Sequence, residues 1–126
     1  MEQVIEEVLA ANRAFYEAHE LRDLDAMRDV WEHSDRATCI HPGWPILRTW
    51  KLVEESWRRI LGGPGRNQFI ITNEAVAVHG DIAWVTLDEN LVSDVGTGTI
   101  AATNIYARTD GTWRLVAHHG SPVSPT

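Results

Sequence analysis

The second half of the chain contains four long β-strand candidates separated by short turn sequences. They are predicted at Asn67–Val78, Ile82–Ser93, Thr99–Arg108 and Thr112–Gly120. The dipeptides Gly80-Asp81 and Asp110-Gly111 are typical of two-residue hairpins, whereas residues 94–98 predict a longer glycine-containing loop. A strand of about ten residues spans ~33 Å, and sheets of that length twist strongly. The pattern therefore predicts a curved antiparallel sheet.

The first half has the apolar spacing of helices instead. A long amphipathic helix is predicted over Glu2–Glu20, and its acidic first turns suit the positive end of the helix dipole. Asp23 is a candidate N-cap for a short second helix. A short strand is predicted over Ala37–His41 and a third helix over Trp50–Leu61, which Gly62-Gly63-Pro64 ends.

Length and composition indicate one domain over residues 1–126. The chain is 44% hydrophobic and 23% charged, enough apolar material for a core without a disulfide or metal. The net charge is −7 and the 11 basic residues are scattered, which argues against nucleic acid as a partner. No apolar stretch suggests a membrane span or signal peptide. The single cysteine, Cys39, fits a reducing compartment, so a cytoplasmic location is expected.

Two of the predicted strands are apolar on both faces. Around Trp84, one face carries Ile82 and Trp84, and the other carries Val85 and Leu87. The strand around Ile71 has the same property. Because one face of the sheet must cover the helices, we expect the other to meet a second copy of the chain. The sequence therefore predicts a homodimer packed through the outer face of the sheet.

The order of these elements resembles the SnoaL-like branch of the nuclear transport factor two superfamily. The segments Ala37–Trp44 and Asn104–Pro122 resemble it in their residues, as does the helix carrying Ser56-Trp57. The resemblance implies an α+β fold in which three N-terminal helices pack in the concave face of a strongly curved antiparallel (mixed) sheet. This fold is a cone-shaped barrel with an interior pocket. The superfamily contains isomerases, dehydratases, hydrolases, cyclases, transport factors and association domains, so the fold leaves the function open.

The segment His41-Pro42-Gly43-Trp44-Pro45 is the first candidate for the pocket. Two prolines and a glycine fix the path of this loop, so His41 and Trp44 are held rigidly. One interpretation places a titratable imidazole beside an aromatic wall at the pocket rim. The other makes His41 a hydrogen-bonded structural residue and Trp44 a lid over the core.

The pair His118-His119 is the second candidate. Adjacent residues on a strand point to opposite faces, so only one imidazole can face the pocket. We expect this to be His119, because it shares a row with the apolar residues Trp113, Leu115 and Ala117. The alternative places one histidine in the subunit interface and one at the surface. Because the two cannot ligate one ion from a regular strand, and no metal-binding motif is present, no metal site is predicted.

Polar side chains on the third long strand and the first helix complete the candidate site. Asn104 shares a face with Ala102 and Tyr106, and an inward amide can orient a ligand, although it can equally pair with its neighbours. Tyr16 can place a phenol in the pocket or belong simply to the core. Four carboxylates are available for acid–base chemistry, none of them in a recognisable motif: Asp35, Glu74, Asp88 and Glu89.

The leading hypothesis is a SnoaL-like enzyme that binds a small, partly apolar organic molecule and acts by cofactor-free acid–base chemistry, as an isomerase, dehydratase or hydrolase. The predicted catalytic residues are His41 and His119, and the predicted ligand-binding residues are Tyr16, Trp44, Trp57 and Asn104. A histidine titrates near working pH, as such chemistry requires. The alternative is a non-catalytic ligand-binding or dimerisation module of the same fold.

Overall fold

The computed structural model describes residues 1–124, in which three helices pack against the concave face of one curved sheet. The elements are α1 (Glu2–Leu21), α2 (Leu24–Val30), β1 (Thr38–Ile40), β2 (Leu47–Arg48), α3 (Trp50–Gly62), β3 (Asn67–His79), β4 (Ile82–Ser93), β5 (Gly96–Thr109) and β6 (Thr112–Pro122). The sheet is open and has the strand order β2-β1-β6-β5-β4-β3. Only the β1–β6 pair is parallel among these strands, so the predicted mixed α+β fold is confirmed.

The helices are fixed to the sheet by their apolar stripes. In α1, Val8 and Phe15 are fully buried, and in α3 Val53 and Trp57 are buried in the same core. The predicted cap of α2 is confirmed, because the Asp23 side chain accepts a hydrogen bond of 3.0 Å from the Ala26 amide. No helix within residues 1–124 is long and apolar enough to cross a membrane.

The strand connections agree with the turn predictions at two of three places. Gly80-Asp81 and Asp110-Gly111 each form a two-residue turn between paired strands. The longer loop predicted over residues 94–98 is wrong, because β5 already begins at Gly96, which pairs with Ser93. Gly96 has a φ of 142°, a backbone angle that glycine adopts readily, so the connection shortens to Asp94-Val95. The short strand β2 lies within residues 46–49, to which the sequence interpretation assigned no element.

A β-bulge in β3 explains why this strand appeared apolar on both faces. The pairing with β4 gains one extra residue between Thr72 and Ala75, and Asn73 within the bulge has a left-handed φ of 56°. The bulge reverses the alternation, so that the core receives odd-numbered residues before it and even-numbered residues after it. The core-facing apolar residues are Phe69, Ile71, Val76 and Val78. The bulge thus accounts for Val76 and Val78, whereas Ile70 does lie exposed on the outer face.

The outer face of the neighbouring strand does remain apolar. Ile82 and Trp84 on β4 are 37% and 41% exposed, and Ile70 on β3 is 60% exposed. Val92, further along β4, is 41% exposed. The sheet therefore presents large apolar side chains on its convex side.

A second bulge interrupts β6. Ile105 on β5 pairs with Ala117, but the next residue, Tyr106, pairs with Leu115, which leaves Val116 as the extra residue. Leu115 is buried before the bulge, and His118 and Gly120 are buried after it. The bulge thus changes which residues of the C-terminal strand face the core.

Gly120 lies where the loop after β1 packs closely against the sheet. A Cβ atom at this position would lie 3.0 Å from Cγ2 of Ile100 and 3.2 Å from Cγ of Pro42. Pro42 has a rigid ring and directly follows His41, so the close approach positions the loop that carries this histidine.

We predict that Gly120→Ala destabilises the protein by about 1 kcal/mol, because the added methyl group must displace the rigid Pro42. The matched control is Gly98→Ala, since Gly98 lies on β5 with no heavy atom within 4 Å of a Cβ built on it. Chemical denaturation of both variants measures the difference. Equal unfolding free energies for the two variants would contradict the proposed contact.

Candidate active site

A cavity of about 230 Å³ opens between α1, α3, the loop after β1 and the concave face of the sheet. Aromatic and aliphatic side chains form most of its wall, together with three imidazoles, one amide and one carboxyl group. The lining residues are His19, His41, Pro42, Trp44, Trp57, Ile60, Asn67, Phe69, Glu89, Leu91, Ile100 and His118. Such a mixture of apolar walls and a few polar groups is typical of small-molecule sites.

Three of the predicted site residues line this cavity, namely His41, Trp44 and Trp57. Tyr16 and Asn104 lie next to it, in a buried hydrogen-bonded network that reaches the lining residues Glu89 and His118. The five residues are therefore brought together by the fold.

The expected inward orientation of His119 is wrong. His118 is 4% exposed and lines the cavity, whereas His119 is exposed on the convex face of the sheet. The cause is the bulge at Val116, which shifts the inward row by one residue between Leu115 and His118. His119 borders an open depression of about 380 Å³ on the outer face, together with Asp88 and Ser121.

A directional chain of hydrogen bonds runs beneath the cavity floor. The Tyr16 hydroxyl donates to Oε2 of Glu89 at 2.6 Å. The Asn104 amide nitrogen donates to the Tyr16 oxygen at 3.1 Å, and Nδ1 of His118 donates to the Asn104 amide oxygen at 2.5 Å. Tyr16 and Asn104 are thus each both a donor and an acceptor, between the donor His118 and the carboxylate at the end of the chain.

A branch of the network runs through Asn12 on α1 to Glu74 on β3. Asn12 accepts hydrogen bonds from the Asn104 amide at 2.9 Å and from the Tyr106 hydroxyl at 2.7 Å. Its own amide nitrogen donates to Oε2 of Glu74 at 3.1 Å. Asn12, Asn104 and Tyr106 are all at most 1% exposed, so the network satisfies polar groups that would otherwise be costly to bury.

Glu89 is the acidic group of the cavity. It is 4% exposed, and burial raises the pKa of its carboxyl group from 4.5 to about 7, although the bond from Tyr16 opposes that rise. Burial and the nearby Glu89 also raise the pKa of the Tyr16 phenol, which stays protonated and remains a donor. A carboxyl group with a pKa near 7 can both accept and return a proton at neutral pH.

The imidazoles of the cavity are neutral over the same pH range. Burial lowers the pKa of His19 and of His41 to about 4 and that of His118 to about 3. The proximity of the rings lowers the values for His41 and His118 further. These side chains therefore act at neutral pH through their lone pairs and N–H groups rather than as cations.

His41 is anchored to α3. Its Nε2 atom lies 2.8 Å from the Ser56 hydroxyl oxygen, and that hydroxyl donates to the Val53 carbonyl oxygen at 2.6 Å. The ring also packs edge to face on Trp57, with centroids 4.7 Å apart, and on Trp44 at 4.9 Å. The loop after β1 thus delivers an oriented imidazole and an aromatic wall together.

Among the titratable lining residues, the sequence interpretation did not place His19 or His118 in the pocket, and it named Glu89 only as one of four carboxylates without a motif. Glu89 lies in the same row of β4 as Val85 and Leu87, so a carboxylate in an apolar row was the available signal. His19 likewise lies on the apolar stripe of α1. Within residues 1–124, no group of three or more His, Cys, Asp or Glu side chains is arranged to hold a metal ion.

Comparison with known proteins places the fold in a family. Residues 8–125 match the SnoaL-like domain. The chain belongs to the SnoaL-like domain family. A proposed dehydratase of the NTF2-like family from Streptomyces avermitilis is 36% identical, with a TM-score of 0.91 over 98% of this chain and 99% of that one.

Two further relatives of this SnoaL-like domain have other descriptions. A proposed calcium/calmodulin-dependent protein kinase type II association domain from Thiobacillus denitrificans is 38% identical, with a TM-score of 0.78 over 91% of this chain and 94% of that one. The F-box protein SKIP8 of Arabidopsis thaliana is 28% identical over 90% of this chain. The SnoaL-like chain spans about half of that protein, 48% of its length.

The buried histidines predict how stability depends on pH. Since His19, His41 and His118 have lowered pKa values when folded, the unfolded chain binds more protons below pH 6.5, and stability falls with the pH. Glu89 has a raised pKa in the folded chain. Between pH 7 and 4.5 the folded chain therefore binds about one more proton at Glu89 than the unfolded chain, which partly offsets the loss of stability. We expect a net loss of about 2 kcal/mol per pH unit between pH 6 and 5.

Denaturation at a series of pH values measures this slope. His118→Asn retains a donor toward Asn104 but removes one titrating ring. The difference in bound protons between the unfolded and folded chain, which sets the slope, should therefore fall by about one. His119→Asn, at the exposed neighbouring position, is the matched control: it keeps all three buried rings, so its slope should exceed that of His118→Asn. Stability that rises on acidification, or equal slopes in the two variants, would contradict the arrangement.

Proposed function

We propose that this SnoaL-like protein is a cofactor-independent acid–base enzyme that moves a proton within a small, uncharged, partly apolar organic molecule. The observation that supports this most directly is the carboxyl group of Glu89, which is buried in an aromatic-walled cavity and has a pKa of about 7. Because rate enhancement by a general base is greatest when its pKa lies near the working pH, Glu89 is suited to this role.

Glu89 is a better candidate for proton transfer than the histidines. The lowered pKa values of His41 and His118 leave too little cation at neutral pH for either ring to act as an efficient acid. His41 is also hydrogen-bonded to Ser56. In this proposal the two rings orient the substrate, and Trp44, Trp57 and Phe69 enclose its apolar part.

Proton transfer of this kind requires only one protein group, a base that can also return the proton. The Glu89 carboxylate removes a proton from a carbon next to a carbonyl group, and the electron pair of the broken C–H bond moves into an enolate. Return of the proton to another carbon completes an isomerisation. Alternatively, expulsion of a hydroxyl group that takes up the proton from Glu89 yields an alkene and water. The relative from Streptomyces avermitilis, described as a proposed dehydratase, favours the second outcome.

A substrate-independent probe tests the base. 5-Nitrobenzisoxazole loses its C3 proton to a base while its N–O bond breaks, which releases a coloured cyanophenolate. We expect wild-type protein to catalyse this elimination and Glu89→Gln to lower kcat/KM by about 100-fold or more. Asp88→Asn is the matched control, because Asp88 is the adjacent residue and borders the outer-face depression. Equal rates in wild type and Glu89→Gln would contradict the role of Glu89.

The pH dependence of the same reaction is a separate prediction. A base must be deprotonated, so kcat/KM should rise with pH and reach half of its maximum at about pH 7. The groups facing Glu89 are the Tyr16 phenol and the neutral rings of His19, His41 and His118. The bond from Tyr16 lowers the pKa of Glu89, so Tyr16→Phe should move the midpoint to higher pH. A midpoint that stays fixed or moves to lower pH would contradict this coupling.

Association is the second proposed role and uses the other side of the sheet. Ile70, Ile82, Trp84 and Val92 form an exposed apolar patch on the convex face. We infer that a second copy of the chain covers it, and the relative described as a kinase association domain supports an assembly function for this fold. The cytoplasmic location expected from Cys39 stays a prediction.

Light scattering after size-exclusion chromatography tests the homodimer. Wild-type protein should elute as a dimer, and Trp84→Lys should shift it toward the monomer because the lysine cannot be buried unpaired. Lys51 is already exposed on α3, so Lys51→Glu serves as a surface-charge control. A wild-type chain that remains monomeric would exclude the homodimer.

A further inference from the structure

The orientation of the Asn104 amide fixes which nitrogen of His118 carries the proton. The nitrogen end of Asn104 donates to both Asn12 and Tyr16, so the end facing His118 is the oxygen, an acceptor. His118 must therefore carry its proton on Nδ1, which lies 2.5 Å from that oxygen. In a neutral ring the other nitrogen, Nε2, then has a free lone pair.

The proton of His41 is fixed in the same way by its partner. The single hydroxyl proton of Ser56 is used on the Val53 carbonyl oxygen, so Ser56 accepts from Nε2 of His41. The sulfur atom of Cys39 lies 3.7 Å from Nδ1 and 3.6 Å from Nε2, so it packs against both ring nitrogens. The hydrogen bond that fixes the proton of His41 is therefore the one from Nε2 to Ser56.

These assignments leave two acceptors free on the buried floor of the cavity when Glu89 is ionised; the His19 ring also lines the cavity, but its unpartnered Nε2 is enclosed by protein. Oε2 of Glu89 is bound by Tyr16, which leaves Oε1 free, and Nε2 of His118 makes no hydrogen bond to a residue in the described range. Neither atom is enclosed by protein, in contrast to Nε1 of Trp57. No lysine or arginine lines the cavity within residues 1–124.

We propose that the substrate of this site is an uncharged molecule that carries two hydrogen-bond donors, hydroxyl or N–H groups, which bind Oε1 of Glu89 and Nε2 of His118. The inference rests on the proposed function, in which Glu89 is also the base: a carboxylate oxygen has two lone pairs, so Oε1 can accept from a substrate hydroxyl and still take up a proton. An anion would meet the Glu89 carboxylate without a compensating cation, and an ammonium group would form an ion pair that removes the base. Hydroxyl groups satisfy both acceptors without either penalty.

The protonation of the two rings is measured first, without any ligand. Long-range ¹H–¹⁵N correlation spectra at pH 7.5 distinguish the two neutral forms of histidine. We expect the Nδ1–H form for His118 and the Nε2–H form for His41. The Nε2–H form for His118 would turn its free atom into a donor and overturn the proposal.

Ligand selectivity is measured next by titration calorimetry with compounds of one size. Catechol, resorcinol and hydroquinone present two hydroxyl groups at three spacings and fit the aromatic walls. At least one should bind tenfold or more tightly than its dimethyl ether, benzoate or benzylamine. The proposal is overturned if no dihydroxybenzene exceeds its ether, if benzoate or benzylamine binds as tightly, or if none binds at millimolar concentration.

The free acceptor on His118 is tested with the pair of adjacent histidines. His118→Asn keeps the bond toward Asn104 and removes Nε2, so it should weaken binding of the best dihydroxybenzene by tenfold or more. His119→Asn should leave binding unchanged, and equal binding by both variants would contradict the role of His118. These outcomes are independent of the elimination assay. Selective binding without catalysis would reject Glu89 as the base but retain the proposed ligand class. Catalysis without selective binding would retain Glu89 as the base but reject the ligand class.

Discussion

The hydrogen bond from Tyr16 to Glu89 is the interaction on which the polar interior depends. A buried carboxyl group favours its neutral form, and one strong donor at 2.6 Å offsets this preference only in part, so the group titrates near neutral pH. The same phenol accepts from Asn104, which in turn accepts from His118. The direction of every bond in the chain is therefore set by the acceptor at its end, and the chemical character of the cavity floor follows from it.

Two β-bulges decide which residues share that interior. Without the bulge in β3, Val76 and Val78 would lie on the convex face. Without the bulge at Val116, Ala117 would lie opposite Asn104, and His119 instead of His118 would point toward the cavity. A bulge adds one residue, and one residue is enough to exchange the two faces of a strand. The cavity-facing surface of this sheet is thus specified by irregularities rather than by regular pairing.

Regular periodicity predicted correctly what regular structure controls. The boundaries of α1 and α3, the turns at Gly80 and Asp110 and the inward direction of Asn104 all follow from local sequence. The orientation of His118 could not be predicted, because Val116 is itself apolar and buried, so the extra residue leaves no break in the pattern. Glu89 lacked a motif because its partner Tyr16 lies 73 residues away and meets it only in the folded chain.

The period of two along each strand also separates the two proposed roles of the sheet. Asp88 and His119 border the convex face, while their neighbours Glu89 and His118 line the cavity. The two rows of side chains share one backbone but project into different environments. A substitution in one row therefore leaves the side chains of the other row in place. This independence gives a physical reason why one fold can be described as a dehydratase in one relative and as an association domain in another at similar identity, 36% and 38%. The two proposed roles can therefore change separately, because they depend on alternate residues of the same strands.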